Sequence, residues 1–229
     1  MIKAYPDIID GYSDNEVILK NGTKIIWNDG KNKSHDEKLE NADLEDQMSQ
    51  IYCKGECSKP NVDYEPGRIR NEKFFLELYG KSEQAVRKNL VPIEWLPKNI
   101  NQEIQVTKIN NVHKKLEAVS KELDLLVNKD PSMKKFLVDL GGTFNWRKIA
   151  GTERLSNHSF GTAIDISVAH SNYWRWSANK IKSTIQYQNK IPQEIVEIFE
   201  RHGFIWGGKW YHFDTMHFEY RPELLLCAQ

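Results

Sequence analysis

Three cysteines in 229 residues are too few for a disulfide-built scaffold. The formal net charge is zero, with Lys+Arg and Asp+Glu at 32 each, so no excess of positive charge points to nucleic acid. No apolar run approaches membrane-spanning length, which excludes a membrane helix. No internal repeat or low-complexity stretch occurs, which sets aside a repeat architecture. What is present is a 39% hydrophobic chain, long enough for one good core with an appended region. Cys53-Lys54-Gly55-Glu56-Cys57 either closes a small disulfide loop in an oxidising compartment or carries two thiols. With no histidine nearby, this pair does not make a second metal site.

The order of the chain suggests an α+β protein. Asn21-Gly22 lies between two β-rich runs, a hairpin signal over residues 17–27. Residues 31–50 are charged and read as a loop or an exposed helix with a solvated face. Residues 51–70 hold Pro60, Pro66 and Gly67 and read as an irregular crossing. A short helix over 74–79 should end at Gly80, and Ser82 should cap another running to Leu90. Residues 91–96 look extended. Val112, Leu116, Val119, Leu123 and Leu126 recur at helical spacing, with His113 on the surface of that helix. Asp130-Pro131 predicts a further helix ending near Gly141, and Pro192 to His202 predicts another, closed by Gly203. Tyr173-Trp174-Arg175-Trp176 is read as core, with the wall of a cleft as its alternative.

Chemistry concentrates in two stretches. The first is Ser156-Asn157-His158-Ser159-Phe160-Gly161-Thr162-Ala163-Ile164-Asp165-Ile166; the second is Asp214-Thr215-Met216-His217-Phe218-Glu219. Ala163, Asp165 and Ser167 alternate with Ile164, Ile166 and Val168, the period of a half-buried strand. His158 precedes Gly161, which allows the turn that brings the imidazole back beside Asp165. His217 and Glu219 share one face of a second strand. If the two strands are neighbours, His158, Asp165 and His217 converge on one zinc ion, with a fourth position open for water, as in catalytic rather than structural zinc. Asp214, three residues before His217, can approach the metal without binding it and act on its water. Glu219 competes for that role, its alternative being to orient a histidine N–H. His212 competes with His217 but would face away on a continuous strand. His170, His35 and His202 carry no motif.

Ser-x-His-x-x-Gly-x-Ala-x-Asp followed by Asp-x-x-His resembles the zinc D-alanyl-D-alanine carboxypeptidase family, which includes vancomycin-resistance carboxypeptidases and L-alanyl-D-glutamate endolysins. The resemblance covers roughly residues 141–225. It implies a hedgehog/D,D-peptidase-like fold, one zinc ion on His158, Asp165 and His217, and an acidic base at Asp214. It also implies an upstream arginine for substrate, best matched by Arg147 with Arg154 as rival, and a substrate-side serine at Ser156. The expected architecture is a small antiparallel sheet bearing zinc, surrounded by helices. Residues 1–70 are expected as an extension with a β-hairpin wrapped on a peptidase domain of residues 71–229. The expected reaction is hydrolysis of peptidoglycan stem peptides, first as a D,D-carboxypeptidase. An L-alanyl-D-glutamate or D,D-endopeptidase is the second choice, and a non-catalytic zinc-holding wall-binding domain the reading from another class. No nucleic-acid partner is expected. A wall enzyme acts in the periplasm or outside the cell. Since residues 1–6 hold no apolar leader, either the sequence starts after a removed signal, which is the favoured expectation, or the enzyme acts from inside, as a phage lysin can.

Overall fold

The structure is a computed structural model, and it describes residues 1–179 and 184–228. Its central sheet is antiparallel, in the spatial order Phe204–Trp206, His217–Tyr220, Ala163–Ser167, Leu140–Gly142. His217 pairs with Asp165 and Phe218 with Ile164, so the two motif strands are direct neighbours in the register that their alternation predicts. The period-2 rule then separates the faces. Ile164, Ile166 and Phe218 are fully buried on the core side, and Asp165, His217 and Glu219 share the other.

Two helices cover the core side. Val112–Lys129 buries Val112, Leu116, Val119, Leu123 and Val127, the stripe set by its apolar spacing. Gln193–Arg201 buries Ile195, Val196, Ile198 and Phe199, and Phe199 stacks on Phe218 of the sheet, ring centroids 3.9 Å apart. The predicted hairpin forms between Glu16–Leu19 and Lys24–Ile26, with Ile9–Ser13 added as a third strand. Leu90–Trp95 and Gln102–Thr107 make a second hairpin. Glu72–Tyr79 ends at Gly80, as expected, and Ser82 caps Glu83–Arg87, which stops short of the expected Leu90 because Leu90 opens the strand of the second hairpin.

Three expectations need correction. The stretch after Asp130-Pro131 is a 3-10 turn, Pro131–Phe136, and Gly141 lies within the edge strand Leu140–Gly142 instead of ending a helix. The small residue has a packing reason, because a Cβ at Gly141 would come within 2.8 Å of the Asp165 Cβ. The charged stretch 31–50 is only partly a solvated face. Its second helix, Leu44–Met48, buries Leu44, Asp46 and Gln47, and Lys33 forms ion pairs with Asp43 and Asp46. Tyr173-Trp174-Arg175-Trp176 meets the core only at Tyr173, which packs against it half-buried: Trp176 is 59% exposed, and Tyr173 and Trp174 line a cleft.

Residues ahead of position 71 hold to the sheet through polar anchors. Tyr5 Oη donates to Glu223 at 2.5 Å and Gln47 Nε2 to the same carboxylate at 3.2 Å. Cys53 and Cys57 form a disulfide. The small loop that they close is pinned by Glu200 and Lys209, which bond the Gly55 N–H and carbonyl.

Candidate metal centre

The first motif folds as a capped turn feeding a strand. Ser156 accepts from the His158 N–H and starts the 3-10 turn Asn157–Phe160. Gly161 ends it at φ 65°, in the left-handed region that favours glycine. A Cβ there would also lie 2.6 Å from Leu90 Cδ2 and 3.1 Å from the Thr107 nitrogen. The turn is buried throughout, and it brings His158 to the strand that carries Asp165. On the second motif, the His217 N–H donates to the Asp214 carbonyl at 3.2 Å. That turn folds Asp214 back toward the histidine instead of continuing the strand.

Three ligand atoms form a triangle. His158 Nε2 lies 3.2 Å from His217 Nδ1, His217 Nδ1 lies 2.9 Å from Asp165 Oδ1, and His158 Nε2 lies 3.2 Å from the same oxygen. The outward nitrogens decide the tautomers. His158 Nδ1 is 2.6 Å from the Thr143 carbonyl, which can only accept, so the proton sits on Nδ1. His217 Nε2 is 3.0 Å from Glu219 Oε2. Burial works against ionising Glu219, but His217, Arg221 and Arg70 hold its carboxyl down at about 2, so it too is an acceptor. With both rings neutral, as metal ligands must be, the inward nitrogens turn lone pairs toward one another and toward a carboxylate oxygen. Such a set is unfavourable without a cation between the atoms. Two neutral imidazoles, each fixed from behind, and one carboxylate are the donor set of an open zinc site. Among the described residues, these three form the group whose ligand atoms, all within 4.8 Å, could hold a metal ion.

The electrostatics agree. Burial disfavours charge on Asp165, yet His158 and His217 hold its carboxyl far below the ordinary range. Burial also disfavours charge on His217, yet hydrogen bonds to Asp165 and Glu219 push it up to about 10. This point in the fold calls for positive charge. Burial and then the Asp165 carboxylate push Asp214 the other way, up to about 6. Its Oδ1 is buried and has no hydrogen-bond partner among the described residues.

One cleft of about 160 Å³ gathers most of the residues singled out in the sequence: Arg147, Arg154, Ser156, His158, Asp165, Asp214, His217 and Glu219. Their settings differ. Arg147 is exposed, and its guanidinium makes one long contact, 3.5 Å, to the Lys148 carbonyl. Arg154 is buried, donates to the Arg68 carbonyl at 2.9 Å and faces Glu40. Ser156 is buried and occupied in capping. Glu219 bonds His217, Asn157 and Arg221, which is the orienting role weighed for it. His170 stands apart from the cleft, packed on Phe136 and bonded to Ser167.

Sequence reasoning missed part of the lining. His212 does not face away, because the chain between it and His217 turns; it lines the cleft, with Nδ1 bonded to Glu65 and its ring packed on Trp174. Gly67, Arg68 and Arg70 come from the crossing segment. The Thr143 carbonyl is a backbone atom, invisible to a search for side-chain chemistry. The one available signal was Pro66-Gly67, a turn that could aim the following arginines.

No curated protein matches the chain. Residues 150–220 match a family model described as D-alanyl-D-alanine carboxypeptidase. That match supports a metallopeptidase of this kind, and its stretch holds both of the motifs by which the sequence resembles that zinc peptidase family.

Proposed function

We propose that the protein is a zinc D,D-carboxypeptidase that removes the terminal D-alanine from peptidoglycan stem peptides, on a fold of the hedgehog/D,D-peptidase type. The observation that carries this reading is the pairing of a converging His158, Asp165 and His217 triangle with a buried, unpartnered carboxylate oxygen on Asp214 in the same cleft. His158 Nε2, His217 Nδ1 and Asp165 Oδ1 would hold one ion. Zinc, when bound there, supplies a Lewis acid for the scissile carbonyl and acidifies water to a pKa of about 7. Asp214 Oδ1 takes the proton of the attacking water and gives it to the departing amine as the C–N bond breaks. Arg147, with its guanidinium edge open to the cleft, pairs with the substrate's terminal carboxylate. Ser156 holds the His158 turn and presents its hydroxyl to the substrate side. Residues 1–70 are part of the working unit, since Gly67, Arg68 and Arg70 line the cleft. The Cys53–Cys57 disulfide suits a periplasmic or extracellular setting.

The test uses zinc-loaded protein and a peptide ending in D-alanyl-D-alanine, followed by mass spectrometry. Wild type should release D-alanine. Asp214→Asn should keep its zinc and lose about 10²–10⁴-fold in kcat. Cleavage within the peptide instead of at its end would assign an endopeptidase. Binding by both proteins with cleavage by neither would make this a wall-binding domain.

A further inference from the structure

Four arginines line the cleft: Arg68, Arg70, Arg147 and Arg154. Their free donors can be counted. Arg70 is buried; its two terminal nitrogens go to the Asn157 side chain and the Leu155 carbonyl, and its Nε, without a partner among the described residues, is enclosed away from the cleft's open edge. Arg154 is buried, gives one nitrogen to the Arg68 carbonyl and sets its Nε 3.3 Å from Glu40 Oε1. Arg147 is open and, in the reading above, takes the terminal carboxylate. Arg68 gives only Nη1, at 2.7 Å, to Glu65. The rest of its fork has no further hydrogen bond among the described residues.

Arg68 is held where it is by design of the backbone. Gly67 sits at φ +101°, and a Cβ there would lie 2.4 Å from Ile205 Cδ1, so the chain presses directly on the sheet before turning out to Arg68. Arg221 Nη1 bonds the Gly67 carbonyl at 2.6 Å. Glu65 is fully buried and anchors both Arg68 and His212 at the cleft edge. The carboxylates facing the cleft, Asp165, Asp214 and Glu219, belong to the metal end. The Arg68 and Arg154 edge has none of these, its acids Glu65 and Glu40 being already paired.

A peptide ending in D-alanyl-D-alanine needs one arginine for its terminal carboxylate, and this cleft offers a second cationic edge. We propose that Arg68, backed by Arg154 and positioned by Glu65, binds a second free carboxylate of the substrate, on the residue N-terminal to the D-alanyl-D-alanine pair. This rests on the carboxypeptidase reading and narrows its substrate class to peptides with an acidic residue there. A guanidinium with its planar fork open is suited to hold such a carboxylate through paired hydrogen bonds, and replacing that carboxylate by an amide removes the charge-assisted part.

The experiment uses two synthetic peptides ending in D-alanyl-D-alanine, identical except that the preceding residue carries a free carboxyl or its amide. Zinc-loaded wild type should favour the acid in kcat/KM by about tenfold, the order of a charge-assisted hydrogen bond. In Arg68→Gln the ratio should fall to near one, and in Arg68→Lys, which keeps the charge without the fork, it should be intermediate. Binding of both peptides to zinc-loaded Asp214→Asn is measured by calorimetry in parallel. If neither peptide is cleaved but the acid still binds more tightly, the carboxypeptidase reading fails and the subsite stands. Equal treatment of the two peptides by wild type, in rate or, without cleavage, in affinity, overturns the subsite. So does a preference that survives unchanged in a folded Arg68→Gln.

Discussion

Glu219 shows how much one residue can hold. It accepts from His217 Nε2 at 3.0 Å and from Arg221 at 2.9 Å, and it also bonds Asn157. The first contact turns the Nδ1 lone pair of His217 inward. Glu219→Gln keeps the shape and can still accept one hydrogen bond, but it removes the charge that fixes the tautomer and balances Arg221. Loss of such an outer partner typically weakens metal binding by about 10–100-fold. Zinc affinity measured by chelator competition should fall by that order, and an unchanged affinity would show that His217 is oriented by other means. This residue was legible in the sequence as an alternative base. What the sequence could not show was that Arg221 is a fully buried cation, paired with its near neighbours Glu219 and Glu223 but enclosed by long-range contacts to the Gly67 carbonyl and the Phe75 ring.

At the scale of elements, the metal strands are only as rigid as the helix behind them. Phe199 of Gln193–Arg201 is fully buried and lies nearly parallel to Phe218, at 16°. Phe218 stands between His217 and Glu219 in the chain. Phe199→Ala should cost about 3–5 kcal/mol in urea unfolding, and it should loosen metal binding as well, because the strand that presents His217 loses its backing. A stability loss with zinc affinity untouched would separate the two faces. Val112–Lys129 and both motif strands were legible from the alternation of apolar and polar residues, and Gln193–Arg201 from Pro192, Gly203 and its apolar face. The 3-10 turn after Pro131 was not. Proline at a first position favours any helical start and does not set how far the helix continues, and Gly141 had a packing reason that only the neighbouring Asp165 reveals. The aromatic run 173–176 was misjudged for a related reason: large rings cover a core and a cleft equally well, and composition does not say on which side of the sheet they fall.

At the scale of the whole molecule, the crossing segment ties the first third of the chain to the cleft. Glu65 is fully buried. Burial raises its pKa, but His212 and Arg68 outweigh this and hold it down at about 2. A carboxylate whose folded pKa lies below its unfolded value, about 4.3–4.5, adds stability above that value and loses it as pH falls toward the folded one. The contribution is up to about 3 kcal/mol at neutral pH. The stability gap between wild type and Glu65→Gln should therefore be widest near neutrality and close between about pH 4.5 and 2. A gap that stayed constant across that range would mean that Glu65 acts by shape alone. No pattern in residues 51–70 announced this role, because His212, the partner that ties Glu65 to the cleft, lies 147 positions downstream.

The family match ends at residue 220 and begins at 150, while the chain of contacts behind His217 runs through Glu219, Arg221 and Glu223 to Gln47 and Tyr5. Recognition and support therefore have different boundaries. A transplant of residues 150–220 alone into a foreign host would carry the coordinating atoms and leave behind the struts that aim them, so the graft should capture zinc poorly even where it folds.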